Sequence, residues 1–197
     1  LKRISSFSGP EIVAGILIAN ISHFLSVIIL FYLTLNVFPE ENIEFAFSTA
    51  FLHIISPAGI FLLAPYPESS CALLSFVGYF LIIKSHTTRS DLVKDGFILT
   101  AGIFFGVSTT FRSNGCLNGI LLLEEALRAL WDLRRKFDFP ALRHLIATGI
   151  GGLMVAIGIL LPQYIAYSEY CTNKFPDERP WCNNRIPSIY TFVQSHY

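Results

Sequence analysis

The sequence predicts an all-α, polytopic integral membrane protein, and three features support this fold class. Hydrophobic residues make up 53% of the 197-residue chain and charged residues only 14%, whereas soluble domains carry about 25% charged residues. The mean hydropathy is +0.56. Several apolar runs approach the roughly 20 residues that a helix needs to cross a bilayer. The formal net charge is zero, so the charge balance does not indicate nucleic acid as a partner.

We expect about six transmembrane or partly inserted helices, because polar, proline-rich or glycine-rich segments separate the apolar runs. The predicted spans lie near residues 10–37, 43–60, 71–83, 96–110, 116–125 and 144–167. Residues 126–139 combine leucine and phenylalanine at helical spacing with several arginines, which predicts an amphipathic helix at the cytosolic face of the membrane. Residues 168–197 are polar and rich in proline and aromatic residues, and we expect them to form a loop.

A few polar and small residues interrupt the predicted spans. The polar residues of the first two spans are Asn20, Ser22, His23 and His53. Because polar groups in membrane bundles usually hydrogen-bond a neighbouring helix, a structural role is favoured over ligand binding for each of them. The last span begins with Gly149, Gly151 and Gly152, and small residues of this kind permit close contact between helices.

The segment Thr110–Gly115 carries the most unusual chemistry, since Arg112 lies within an almost entirely apolar region. An arginine at membrane depth costs at least a few kcal/mol unless it faces a water-filled cavity or an anionic partner. Ser113, Asn114 and Gly115 favour a turn over a continuous helix. The segment therefore predicts two shorter spans that meet at a polar turn. We expect Arg112 to point into a shared cavity suited to an anionic group such as a lipid phosphate.

A second polar segment, residues 56–70, contains three prolines and one glycine and ends in Glu68-Ser69-Ser70. Prolines at these positions exclude one uninterrupted helix. Two interpretations of Glu68 remain open. Its carboxylate suits the N-terminus of the next helix as a cap, and it also suits a polar site beside Arg112.

The distribution of charge predicts the orientation of the chain. Residues 84–94 and 128–143 hold most of the basic side chains, so we expect both segments to be cytosolic. Arg112, Glu68 and the loop 168–197 then lie at the opposite face, which is the lumenal face if the compartment is the endoplasmic reticulum. Cys171 and Cys182 are the only cysteines in a polar loop, and their spacing permits a disulfide in an oxidising compartment. The five histidines are dispersed, so no metal-ligand cluster and no cofactor site is evident in the sequence, and the metal requirement stays open.

Four sequence blocks resemble the GPI mannosyltransferase 2 family, and the overall character of the chain is most similar to fungal members. The blocks are Ser56–Phe61 with Ala64–Ser69, Phe111–Gly115, Gln163–Tyr167 with Cys171, and Pro180–Cys182 with Pro187–Tyr190. They occur in the same order as in the family and cover most of the chain. One position departs from the family pattern, because residue 67 is proline where the family usually has serine.

The resemblance implies an integral membrane enzyme of the endoplasmic reticulum with a GT-C-type fold. Such an enzyme adds the second mannose of the GPI-anchor precursor, in α-1,6 linkage, from the donor dolichol-phosphate-mannose. The lipid-linked donor, the GPI-precursor acceptor and a small accessory membrane subunit are the implied partners. Arg112 would then bind the donor phosphate. The other candidate substrate-binding residues, chosen because we expect them on the same face as Arg112, are Asn114, Glu68, Trp181, Tyr190 and Tyr197.

The catalytic base of this family is presumed to be the Asp of a Trp-Asp motif in the first lumenal loop. The only Trp-Asp here, Trp131-Asp132, lies in the helix assigned to the cytosol, and we regard it as a coincidence. The chain starts at Leu1 and its single methionine is Met154. We therefore expect an internal piece of a longer protein, with the catalytic Asp upstream of Leu1 and no activity in this piece alone.

Two other classes of function remain open on the residues alone. A buried arginine and broken helices also occur in transporters of anionic or lipid-linked solutes. A transporter of this kind is expected to show an internal repeat, and the two halves of the sequence show none. A non-catalytic scaffold subunit is the third possibility.

Overall fold

The structure of the chain is a computed structural model that describes residues 9–56, 59, 64–135, 137–172 and 180–183. Six α-helices are bounded within these residues, and no strand occurs among them. They are α1 (Gly9–Val37), α2 (Ile43–Ile54), α3 (Glu68–Thr87), α4 (Asp91–Phe111), α5 (Gly119–Arg135) and α6 (Phe139–Tyr167). Short 3₁₀ helices cover Ser113–Asn118 and Pro180–Asn183, and a π-helical turn covers Ser168–Thr172. The predicted all-α fold class is confirmed.

Four of these helices are long and apolar enough to cross a membrane. The candidate spans are Pro10–Val37, Glu68–Thr87, Asp91–Phe111 and Phe139–Cys171, with mean hydropathies from 1.3 to 2.3. The shorter α2 is also apolar. The prediction of a multi-pass membrane protein is confirmed by these helices.

Each predicted span overlaps one helix, but several ends differ from the prediction. The helix predicted near 43–60 ends at Ile54, and the helix predicted near 71–83 begins at Glu68 and ends at Thr87. Polar residues such as Lys84 and His86 continue α3 beyond its apolar part, because helix formation requires backbone hydrogen bonds and not apolar side chains.

The predicted span 116–125 and the predicted amphipathic helix 126–139 form one helix, α5, instead of two. Leucine, glutamate, alanine and arginine fill the junction at residues 121–128, and all four are strong helix formers. The side chains therefore change from apolar to charged without a break in the backbone. Pro140, which directly follows the predicted amphipathic helix in the sequence, lies in the first turn of α6, where its missing N–H costs no hydrogen bond.

Side-chain contacts show how four of the helices, α1, α3, α4 and α6, are directed relative to one another. Ser22 and Ser70 meet at 3.3 Å near the start of α3, and Lys84 near its end donates to Asn36 of α1 at 2.7 Å, so α1 and α3 are parallel. In α4, Asp95 contacts Arg143 and Gly106 lies against Gly158, so α4 and α6 are also parallel. By contrast, α4 is antiparallel to α3, because Ser108 near the end of α4 contacts Ser75 near the start of α3.

These directions divide the bundle into two ends. The Arg112 end contains the start of α3, the end of α4 and the end of α6. The Asp95 end contains the end of α3 and the starts of α4 and α6. Since Asp95 and Arg112 are 17 residues apart in sequence, they lie about 25 Å apart along the axis of α4.

Helix α4 forms the centre of the bundle, and three of its side chains, Ile98, Ala101 and Phe105, have no exposed surface. On one side Phe105 fills the space above Gly78 of α3, where a Cβ would lie 2.2 Å from the ring. On the other side the backbone of α4 approaches α6 directly. A Cβ at Gly102 would lie 2.4 Å from the Cα of Gly151. Small residues thus permit the close backbone contact that stabilises helix pairs in membranes.

The glycine contact involves only part of the glycine-rich start of α6. Gly151 lies against α4, and further along the helix a Cβ at Gly158 would lie 2.2 Å from the carbonyl oxygen of Gly106. Positions 149 and 152 face open space, since a Cβ there would meet nothing within 4 Å. Helical geometry places Gly151 and Gly158 on one face of α6 and Gly149 and Gly152 on others.

Polar side chains in α1 and α2 contact other helices, as we expected for most of them. Ser22 contacts Ser70 of α3, and the Ser26 hydroxyl of α1 lies 3.2 Å from Nε2 of His53 in α2. The rings of His23 and His53 are 5.2 Å apart. Asn20 donates to the carbonyl of Ile16 in its own helix at 2.8 Å.

A cluster of charged residues joins four helices at the Asp95 end. This Asp95 cluster consists of His86 (α3), Asp95 (α4), Glu125 (α5), Arg143 and His144 (both α6). Asp95 accepts from Arg143 Nε at 2.5 Å and lies 2.7 Å from His144 Nδ1. Glu125 lies 3.3 Å from His86 and 3.5 Å from His144. The two carboxylates are only 6% and 5% exposed, so their partners compensate for the loss of water.

The Asp95 cluster changes the acidity of Glu125. Burial raises the pKa of the Glu125 carboxyl, but the hydrogen bond with His144 and the charges of His86 and Arg128 outweigh burial and hold the pKa below its usual value of 4.5. A carboxyl with a lowered pKa in the folded state stabilises that state above its usual pKa. This stabilisation is lost as the pH falls through the lower folded-state value.

We therefore predict a pH-dependent effect of Glu125→Gln in the full-length protein. The variant should be less stable than the wild type near neutral pH, and this difference should shrink as the pH falls from about 5 to about 3. Thermal unfolding in detergent measures the difference at each pH. Glu124→Gln is the matched control, because Glu124 is half exposed and, among the described residues, its ion pair is with Arg128 on its own helix. A difference that stays constant down to the lowest pH would contradict the prediction.

We also predict that Gly102→Ala destabilises the bundle by about 1–3 kcal/mol, because the new methyl group would overlap the backbone of α6. Gly152→Ala, in the same helix pair but facing open space, should leave stability unchanged or raise it by up to about 1 kcal/mol. The midpoint of thermal unfolding of the full-length protein measures both effects. Equal midpoints for the two variants would show that α4 and α6 are not in contact at Gly102.

Candidate functional site

The polar turn around Arg112 interrupts the helical path between α4 and α5. Helix α4 ends at Phe111, Arg112 has an extended backbone with φ −144° and ψ 131°, and the 3₁₀ helix Ser113–Asn118 follows. The N–H of Gly115 donates to the carbonyl of Arg112 at 2.8 Å. The structure thus contains the turn that the Ser-Asn-Gly sequence predicts, and it holds Arg112 at the end of the bundle.

Gly115 is necessary for the position of this turn because the turn lies directly against α4. A Cβ at residue 115 would lie 2.8 Å from both the nitrogen and the Cα of Thr109. Backbone atoms cannot move aside as a flexible side chain does, so any other residue would push the turn away. The glycine therefore brings Arg112 close to the neighbouring helix α3.

Arg112 forms an ion pair with Glu68 across two helices, and its Nη1 lies 2.8 Å from Oε1 of Glu68. Because α3 and α4 are antiparallel, the end of α4 lies beside the start of α3. A cation suits the first position and an anion the second, since helix dipoles leave negative charge at C-termini and positive charge at N-termini. Two of the residues that the sequence singled out for this end of the protein are thus brought into contact.

The structure also shows which group the Glu68 carboxylate contacts. Pro67 occupies the N-cap position of α3, and Glu68 is the first residue of the helix. Its Oε1 binds Arg112, so the carboxylate is a partner of Arg112 and not a cap. The other oxygen, Oε2, is buried and has no hydrogen-bond partner. A buried acceptor of this kind favours a ligand that donates a hydrogen bond.

The ion pair is accessible from solution, because the side chains of Arg112 and Glu68 are 42% and 25% exposed. Pairs with this exposure contribute only about 0–1 kcal/mol to stability, so stability alone is a weak reason for an arginine here. A guanidinium has five N–H donors, and the contact with Glu68 uses one of them. The remaining donors suit a phosphate group, which arginine binds through two parallel hydrogen bonds.

The other predicted site residues have different surroundings. Asn114 is exposed in the 3₁₀ helix beside Arg112. Trp181 is only 7% exposed, which leaves little of its ring for contact with a substrate. Cys171 and Cys182 form a disulfide with a Cα–Cα distance of 5.6 Å, which ties the 3₁₀ helix containing Trp181 to the end of α6. Tyr190 and Tyr197 lie outside the described residues.

Trp131 and Asp132 lie in the last two turns of α5, far from Arg112. Asp132 lines a cavity of about 510 Å³ at the Asp95 end, together with Asp91 and Asp138. The Trp-Asp pair of this chain is therefore separate from the Arg112–Glu68 pair. Within the part of the chain that the structure describes, no three His, Cys, Asp or Glu residues are arranged to hold a metal ion.

Sequence reasoning missed a buried polar network that lies next to the turn. This Asn118 network consists of Asn118, Ser75, Tyr79, Ser108 and Cys71. Asn118 Nδ2 donates to Ser75 Oγ at 2.9 Å, and the Tyr79 hydroxyl donates to Asn118 Oδ1. Ser75 Oγ lies 3.0 Å from Ser108 Oγ, which donates to the carbonyl of Cys71 at 3.2 Å.

The sequence gives little indication that the residues of the Asn118 network are buried and hydrogen-bonded to one another. Ser75, Ser108 and Asn118 are single polar residues in apolar surroundings and match no motif, yet they are 8%, 0% and 6% exposed. Asn118 lies four residues beyond Asn114, which the sequence did single out. Only the packing of α3 against α4 shows that these side chains meet.

The fold and the site define a class of protein: a multi-pass helical membrane protein with an arginine–carboxylate pair at one end of its bundle. A comparison with known families identifies the class further. The family described as Mannosyltransferase (PIG-V) matches residues 9–197. The chain belongs to this family, and the predicted resemblance is confirmed.

Curated relatives of the chain carry the name GPI mannosyltransferase 2. Those from Chaetomium globosum and Gibberella zeae are 43% and 39% identical, and each comparison covers 95% of this chain. The relative from Aspergillus oryzae is 39% identical over 99% of this chain. These three relatives are fungal, and the chain spans 43% to 45% of their length. No solved structure matches the chain.

We predict that Gly115→Ala disturbs the turn and weakens the Arg112–Glu68 contact, with a loss of about 1–3 kcal/mol of stability from overpacking. Thermal unfolding of the full-length protein measures the loss. Gly96→Ala is the control, since a Cβ at Gly96 in α4 would meet nothing within 4 Å, and it should be neutral or slightly stabilising. A Gly115→Ala protein as stable as the wild type would show that the turn does not lie against Thr109.

Proposed function

We propose that the complete protein is a mannosyltransferase of GPI-anchor biosynthesis that uses dolichol-phosphate-mannose as donor. It adds the second mannose, in α-1,6 linkage, to the mannosyl-glucosaminyl phosphatidylinositol acceptor. Membership of the mannosyltransferase family and the names of the relatives support this function. The main structural reason for placing a substrate site in this chain is the Arg112–Glu68 pair. It presents a guanidinium with free N–H donors at the end of a membrane bundle.

The proposed reaction is an inverting glycosyl transfer. A carboxylate from a part of the complete protein outside this chain removes the proton of the acceptor 6-hydroxyl. The acceptor oxygen then bonds to the anomeric carbon of mannose, while the bond from that carbon to the phosphate oxygen breaks and its electrons pass to the phosphate. Arg112 stabilises the negative charge that builds up on the leaving phosphate in the transition state.

Each carboxylate oxygen of Glu68 has its own role in the proposed reaction. Its Oε1 orients the guanidinium of Arg112, and its unpartnered Oε2 accepts a hydrogen bond from a hydroxyl of the mannose. Asn114, exposed beside Arg112, provides a further donor and acceptor for the sugar. Contacts of Trp181, Tyr190 and Tyr197 with a substrate stay predictions that rest on the expected placement of these residues at the Arg112 face.

We place the Arg112 end at the lumenal face of the endoplasmic reticulum membrane. The disulfide between Cys171 and Cys182 lies at this end, and disulfides persist in oxidising compartments. The basic residues of α5 and the start of α6, including Arg134, Arg135 and Arg143, lie toward the Asp95 end, and basic residues favour the cytosolic side. Both observations support the same orientation.

The experiment that tests this function is a mannosyl-transfer assay with the full-length protein. It uses microsomes from cells depleted of the endogenous enzyme, a labelled dolichol-phosphate-mannose donor and a mono-mannosylated GPI precursor, with the accessory subunit expressed alongside. A labelled di-mannosylated lipid is the expected product. If the inserted and stable protein forms no such product, the proposed function is wrong and the transporter becomes the better hypothesis.

We predict that Arg112→Ala and Arg112→Lys both lower the rate of transfer, by about 10²–10³-fold for the alanine variant, because the transition state loses a charged hydrogen-bond donor. Lysine keeps the charge but not the planar fork, so its loss should be smaller but still clear. Arg128→Ala is the matched control, since Arg128 is an exposed arginine that pairs with Glu124 away from the site. Normal rates in both Arg112 variants would remove Arg112 from the site.

A further inference from the structure

We propose that Asn118 is a positioning residue for this transfer reaction. Asn118 does not touch the substrate in this proposal. The Asn118 network holds the turn that contains Arg112 in a fixed position relative to Glu68, so Asn118 affects the reaction through the position of Arg112. This inference rests on the proposed function, and it assigns a role to buried residues that carry no recognisable motif.

Both ends of the polar turn are attached to the same helix, α3. At its start, Arg112 binds Glu68 in the first turn of α3. At its end, Asn118 binds Ser75 and Tyr79, which lie two and three turns further along α3. The turn is thus held at two points on one rigid helix. A shift or rotation of the 3₁₀ helix against α3 would have to break the contacts of Asn118.

The hydrogen bonds of the network form a continuous chain from Tyr79 to Ser108. The Tyr79 hydroxyl donates to the carbonyl oxygen of Asn118, and the amide nitrogen of Asn118 donates to Ser75 Oγ. Ser75 Oγ lies 3.0 Å from Ser108 Oγ, and either hydroxyl can donate to the other. Ser108 Oγ also lies 3.2 Å from the carbonyl oxygen of Cys71 and 3.1 Å from its thiol. Linked hydrogen bonds strengthen one another in a medium of low polarity.

Only a side chain with both a hydrogen-bond donor and an acceptor can join Ser75 to Tyr79 in this way. Asparagine has an NH₂ group and a carbonyl oxygen on one planar amide, and here each of them has a buried partner. Aspartate would lack the donor for Ser75, and leucine would lack both groups. Since Asn118 is 6% exposed, water cannot easily replace a lost partner.

The test uses Tyr79→Phe and Asn118→Ala in the full-length enzyme, assayed for mannosyl transfer as above with rates normalised to inserted protein. Tyr79→Phe removes one hydroxyl and keeps the ring, so it is the variant that should fold normally. We expect its kcat to fall about tenfold while KM for the donor changes less than twofold, because a misplaced group near the reacting atoms lowers rate more than binding. Asn118→Ala should lower kcat further.

Thr100→Val is the matched control for the loss of a hydroxyl. Thr100 lies in α4, is exposed, and donates only to the carbonyl of Gly96 in its own helix at 2.8 Å. Its variant should keep the wild-type kcat. A loss in Thr100→Val equal to that in Tyr79→Phe would contradict a specific role of the network.

A double-mutant cycle separates positioning from simple structural support. If Tyr79 acts through Arg112, Tyr79→Phe should lower kcat less than about twofold once Arg112 is already lysine, because coupled residues are not additive. An equal tenfold loss in both backgrounds, or no loss in the wild-type background, would overturn the positioning role. Absence of di-mannosylated product from the wild type would instead contradict the proposed function itself.

Discussion

The close contact of α4 with both of its neighbours is the constraint on which the rest of this structure depends. Lipid is as apolar as the helix surfaces, so the hydrophobic effect gives little drive for helices to associate within a bilayer, and close packing must supply it. Gly102 and Gly106 bring α4 against α6, and Gly78 admits the ring of Phe105 from α4 into α3. Because α4 is fixed on two sides, the turn at its end is also fixed in space.

The two ends of α4 carry different polar chemistry. At the Asp95 end, buried charges pair across four helices, but Nη2 of Arg143 and Nε2 of His144 are buried without a hydrogen-bond partner, and the cluster borders a cavity of about 510 Å³. At the Arg112 end, the ion pair is partly exposed and leaves donors of Arg112 and one oxygen of Glu68 unused. We place the function at the Arg112 end because its arginine is open to solution and lies in a sequence block that resembles the mannosyltransferase family.

Much of the architecture was predictable because a membrane-spanning helix requires a long run of apolar residues, which can be seen in the sequence. Each of the six apolar runs overlaps a helix, and the Ser-Asn-Gly sequence correctly indicated a turn after Arg112. The ends of the helices were harder to predict, since α3 continues through Lys84 and His86 and α5 continues across the change from apolar to charged residues. Hydropathy reports where a chain can meet lipid, while a helix ends only where its backbone hydrogen bonds end.

The sequence by itself determined the all-α membrane fold and the family, and it singled out Arg112 as a candidate, because composition, motif order and an arginine within an apolar stretch are local properties. Only the tertiary structure decided that Glu68 pairs with Arg112 and does not cap its helix. It alone brought Asn118 to Ser75 and Tyr79. These contacts join residues about 40 positions apart, and they follow from the direction and spacing of packed helices, which no single stretch of sequence encodes.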